Sequence, residues 1–169
     1  LHYGAHLFNS NQWNFANAMR VQSMAVARAE GSADTLTLAQ SRNALGLFYW
    51  RRYETVAHRR YYILNLQPTP TTLLTRAAMN RDLFDNATRA YEPPLGEALY
   101  VEAETNFRRA RELNIEDELA FRHEAMLLAD RARWDEIAAI AGARTRTRPA
   151  QTWPWFALAV AEHRRGRMA

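Results

Sequence analysis

The chain has 169 residues, 48% of them apolar and 24% charged, with 6 glycines, 6 prolines and a formal charge of +4. At this length about 70% of the unfolded surface can be buried, and the aromatic content supplies a core, so disorder is disfavoured and no metal or disulfide is needed for folding. There is no cysteine and all 22 basic residues are arginine, which excludes thiolate nucleophiles, cysteine-ligated zinc, Schiff-base lysines and a phosphate-loop lysine.

Apolar residues recur with helical period almost throughout. Between Gln12 and Glu30 the run is Trp13, Ala16, Met19, Met24, Ala27, and Gly31 stops it. Asp34 can cap a second helix over about Thr35–Arg52, with Leu38, Arg42, Leu45, Gly46 and Tyr49 along one stripe. A third is predicted from Glu54 to Leu66 and ended by Pro68 and Pro70. Further helices are predicted over 71–80, 84–92, 95–113, 117–131, 134–143 and 152–165, punctuated by Pro93, Pro94, Asn114, Pro149 and Pro154. Asn114 to Glu118 has the composition of a helix start, its carboxylates complementing the helix dipole. No β-branched run alternates between turns, so the predicted class is all-α. No run approaches the ~18 apolar residues of a membrane span. A soluble chain is expected, and a cysteine-free one suits cytoplasm or periplasm equally.

Spacing suggests how the helices are arranged. Tyr100, Trp134 and Met168 stand 34 residues apart, and the same shift lays Phe121 on Trp155, Ala125 on Ala159, Arg133 on Arg167 and Ala103 on Ile137. Leu45-Gly46-x-x-Tyr49, Phe84-x-x-Ala87-x-x-x-Tyr91, Ala103-x-x-x-Phe107-x-x-Ala110 and Trp155-x-x-Leu158-Ala159 alternate small and large residues at helical spacing. On these residues, from about Ala39 to Ala169, the chain resembles the tetratricopeptide repeat family, whose helix-turn-helix unit is 34 residues long. Arg42 stands where the family prefers Trp, Glu124 where Leu is expected, and only 16 residues separate Phe84 from Tyr100, so the repeats are irregular. The resemblance implies antiparallel helix pairs stacked as a right-handed α-solenoid. Residues 1–38 would form an N-terminal hairpin or atypical repeat, 39–70 and 71–92 one repeat each, 95–148 irregular repeats, and 149–169 a final repeat helix or cap. With Leu1 in place of Met and Gly166 not followed by a second helix, the expectation is a piece excised from a longer protein.

Catalytic and metal motifs are missing. His2 and His6 share helical spacing without a nearby carboxylate, and His123-Glu124 is not followed by a second His. None of Ser10, Ser23, Ser32 or Ser41 sits in a Gly-x-Ser-x-Gly elbow. No enzyme, cofactor or metal site is expected, and binding remains. If Leu45, Gly46 and Tyr49 pack inward, the adjacent stripe is Asn43, Leu47, Trp50 and Arg51. The resemblance implies that this second stripe lines a concave groove for a peptide or protein segment. The same offsets pick Thr72, Arg76, Met79 and Asn80, then Arg122, Met126, Ala129 and Asp130, then Phe156, Val160, His163 and Arg164. The expected groove residues are thus Asn43, Leu47, Trp50, Arg51, Arg76, Arg122, Met126, His163 and Arg164. The competing reading makes Trp50, Met126 and Phe156 core. The expected function is a non-catalytic scaffold or adaptor for a protein partner. Two alternatives are a basic helical-repeat nucleic-acid binder, motivated by Arg59-Arg60-Tyr61-Tyr62, and an accessory helical domain of a larger enzyme or transcriptional regulator.

Overall fold

A computed structural model describes residues 15–32, 34–58, 70, 73, 74 and 93–166. Among them are six helices and no strand: α1 (Phe15–Ser32), α2 (Thr35–His58), α3 (Pro93–Leu113), α4 (Glu118–Ala129), α5 (Trp134–Thr147) and α6 (Thr152–Arg164). The chain is all-α. The helices expected at 71–80 and 84–92 lie outside the described residues apart from Leu73 and Leu74, and so does most of 54–66. No helix of the described residues is long and apolar enough to cross a membrane.

Two boundaries differ from the sequence expectation. α2 runs unbroken through Arg52 to His58, because nothing from Leu47 to His58 is Gly or Pro and no stop signal interrupts the hydrogen-bond ladder. α5 continues past residue 143 to Thr147, where Pro149 holds Arg148 out of the helical region at φ −137°.

The turns follow local chemistry. Asp34 Oδ1 accepts the Thr37 amide at 3.0 Å and starts α2, and hydrogen bonding from the Thr37 side chain and then its amide holds the Asp34 carboxyl below the usual range. Asn114 Oδ1 accepts the Glu116 and Asp117 amides, and Asp117 in turn accepts the Leu119 amide at 2.8 Å, so the expected helix start at 114–118 is formed. After α4 the Arg133 amide reaches the Leu128 carbonyl and the Ala132 amide the Ala129 carbonyl, each at 3.1 Å. That is a Schellman closure, and it places Ala132 at φ 52°, where glycine is usual.

α1 lays Ala18, Gln22, Val26 and Ala29 against α2, and Gln22 Nε2 donates to the Ser41 carbonyl at 3.0 Å. α2 then packs on α3. Arg42 meets Asn106 at one end and Tyr53 meets Tyr100 at the other, so residue numbers rise along α2 as they fall along α3. Between them Gly46 lies under Phe107, and a Cβ there would sit 2.7 Å from two ring carbons. α3 packs on α4, α4 on α5, and α5 on α6; α4 also touches both α2 and α6. Leu73 enters the same core, fully buried.

Candidate functional site

The expected groove stripe divides into residues that are sealed and residues that are not. Trp50 and Met126 are fully buried and Asn43 is 7% exposed. Trp50 Nε1 donates to Asp130 Oδ2 at 2.9 Å, and its ring stands edge-on to Phe107 at 5.9 Å. Asn43 Oδ1 accepts from Nδ1 of His123 at 2.9 Å. Both contacts join residues 80 apart in sequence, so α2 and α4 lie side by side pointing the same way. Asn43, Trp50 and Met126 therefore close the seam between α2, α3 and α4 and offer no free surface, in line with the core reading of Trp50 and Met126. The reason is non-local: α4 covers the face of α2 that the groove reading leaves open.

The remaining expected residues are accessible to different degrees. Leu47 is partly buried against the core, and Arg51 is half-buried. Arg122 pairs with Glu118 one turn earlier and lies 5.7 Å from the centroid of the Trp153 ring. His163 and Arg164 are exposed, with the Arg164 guanidinium 5.6 Å from the Trp134 ring. Phe156 is partly buried, 6.3 Å from Trp153. Arg76, Thr72, Met79 and Asn80 lie outside the described residues, as do His2, His6 and the Arg59-Arg60-Tyr61-Tyr62 string.

Several of the described arginines join helices. Arg133 bridges Glu104 on α3 and Glu136 on α5, each at 2.5 Å, and Arg131 reaches Glu97 at 2.7 Å while lying 3.7 Å over the Tyr100 ring. Arg111 reaches Glu124 at 2.5 Å, and Arg42 joins Glu30 of α1 to Asn106 of α3. Thus Arg42 and Glu124, two residues that depart from the pattern expected of the repeat family, each supply an inter-helix contact. Arg144 donates to the Asp117 carbonyl at 2.9 Å and to Gln151 at 2.7 Å, and Arg148 pairs with Glu116, so the turn before α4 is lashed to the turn before α6.

His123 is buried between Trp50 and Phe107. Burial, assisted by the Arg122 charge, pushes its pKa down to about 3, so it is a neutral donor to Asn43 at physiological pH. No group of three or more metal-ligating side chains occurs among the described residues.

One accessible feature had no place in the expected groove. Trp155 on α6 is 51% exposed, while Trp153, two residues earlier, is buried edge-on against Phe121. The signal was present in the run Trp153-Pro154-Trp155-Phe156, in which helical geometry cannot turn all three aromatics inward. Comparison with protein-family models, curated proteins and solved structures finds no match for this chain.

Proposed function

We propose that the chain is a non-catalytic scaffold, built as a degenerate tetratricopeptide-like solenoid of antiparallel helix pairs, which binds a segment of a partner protein. The supporting observation is the order of contacts: α2, α4 and α6 neighbour one another in turn, while α3 and α5 each pack against the helices before and after them in the chain. Stacking of this kind leaves one face of the α2, α4 and α6 layer for a ligand. With Asn43, Trp50 and Met126 inside, the contact surface narrows to Leu47, Arg51, Arg122, Phe156, His163 and Arg164. Apolar anchors would give affinity and the arginine forks orientation.

Selection of binders from a displayed peptide library tests this reading. Peptides captured by the full chain should lose affinity about tenfold or more with Arg122→Glu and with Leu47→Glu, the helical circular-dichroism signal staying intact. Unchanged affinity in both variants would defeat the groove. Tight, steeply salt-dependent binding of single-stranded RNA would favour the nucleic-acid reading instead.

A further inference from the structure

The turns that end α4 and α6 have the same form 34 residues apart. Ala132, at φ 52°, donates its amide to the Ala129 carbonyl at 3.1 Å, and Gly166, at φ 69°, donates its amide to the His163 carbonyl at 3.0 Å. The same shift relates Phe121, Ala125 and Ala129 on α4 to Trp155, Ala159 and His163 on α6. In each helix these residues follow at intervals of four and share one face. Their surroundings differ. Phe121 and Ala125 are fully buried and Ala129 is 5% exposed. After Ala132 the chain turns into α5, whose Arg144 guanidinium lies 5.3 Å from the Phe121 centroid, and Trp153 of α6 stands edge-on to the same ring at 5.8 Å. On α6, Trp155, Ala159 and His163 are all exposed, Trp155 by 51%. The Trp155 indole N–H is taken by the Pro149 carbonyl at 3.0 Å, which leaves the ring to present apolar surface with no polar demand of its own.

The last helix of a stacked row needs a polar outer face, and Trp155 with Ala159 does not give α6 one. The α4–α5 interface is the filled version of this face and supplies the chemistry of its occupant. α5 buries Ile137, Ala138 and Ala141 and brings Arg144 over the ring; the alanines permit close approach of two helices and the guanidinium meets the aromatic face. We propose that the Trp155 face of α6 docks an amphipathic helix of a partner protein, alanine-rich on its buried side and carrying an arginine over the Trp155 ring, in the way α5 packs on α4. A second copy does not supply that helix, because its own α5 is committed to its own α4. The proposal rests on the 34-residue register of the scaffold reading, and adds a second contact surface, outside the groove, with the chemistry of its partner.

The test uses the full chain and a synthetic peptide with the sequence of residues 134–148, which contains α5. Fluorescence anisotropy should show the labelled peptide binding saturably. Trp155→Ala and Ala159→Phe in the chain should each weaken it about tenfold or more without changing the thermal midpoint, and Arg144→Glu in the peptide should do the same. No saturable binding, or binding that ignores all three substitutions, overturns the proposal. Binding that survives Trp155→Ala but is lost in Arg122→Glu also overturns it, and leaves the groove reading standing. Sedimentation showing a dimer that Trp155→Ala dissociates overturns it as well, since the face would then belong to a second copy of the chain. Library peptides that need Leu47 and Arg122 should still bind the Trp155→Ala chain, so the two surfaces can fail separately.

Discussion

The seam between α2, α3 and α4 and the seam between α5 and α6 are both helix contacts, but they are filled by opposite means. The first is aromatic: Trp50 stands edge-on to Phe107 and to His123, these two rings lie tilted against each other, and Gly46 makes room for the Phe107 ring. The second is lined by small residues, with Ala138, Ala141, Ala157 and Ala161 buried. Large groups in a gap must be matched by a hole elsewhere, whereas small groups let two backbones approach directly. α6 buries its other indole, Trp153, edge-on against Phe121 of α4 and carries Trp155 on its outer side. The contrast separates a region devoted to holding the fold from one with surface left over.

Substitutions can break or sharpen that contrast. Phe107→Ala removes the ring that Trp50, His123 and Gly46 all share, and about 3–5 kcal/mol of stability should be lost on denaturant unfolding. Gly46→Ala drives a methyl into a fully buried ring and should cost about 1–3 kcal/mol by the same measurement. His123 adds a pH signature. Its folded pKa of about 3 lies below the unfolded value of 6.5, so the unfolded chain binds the extra proton in between. Its contribution is complete above pH 6.5 and declines as pH falls towards 3, at up to about 1.4 kcal/mol per unit. Unfolding of the wild type and His123→Gln at pH 7 and pH 5 should show the larger loss in the wild type. The smallest effect falls in the other seam. A Cβ on Gly142 meets nothing closer than 3.7 Å, so Gly142→Ala should raise stability by about 0.5–1 kcal/mol through helix propensity. Destabilisation by Gly142→Ala as large as that by Gly46→Ala would erase the distinction.

Much of the fold was legible because its signals are local. Asp34, Asn114 and Asp117 announce helix starts through their own side chains, and Gly166 closes α6 at φ 69°. The small-and-large alternation around Gly46 and Phe107 also marked a close contact, although the identity of its partner came only from the structure. The groove was harder to read. Asn43 and Trp50 occupy one stripe of α2, and periodicity cannot say whether a stripe faces solvent or another helix. The hydrogen bonds to His123 and Asp130 decide it, and both partners are distant in sequence. The weight of Trp155 was equally hidden, since three aromatics in four positions show only that one must stay outside.

The separation of 80 residues across the α2–α4 seam bears on how the chain reaches its native state. Closing so long a loop costs more entropy than folding α5 onto α6 across a short turn. Assembly should therefore start at the α5–α6 hairpin and finish when α2 arrives with Trp50. Pulse-labelling hydrogen exchange during refolding should find amides of α6 protected before those of α2, and the reverse order would mean that the aromatic cluster nucleates collapse.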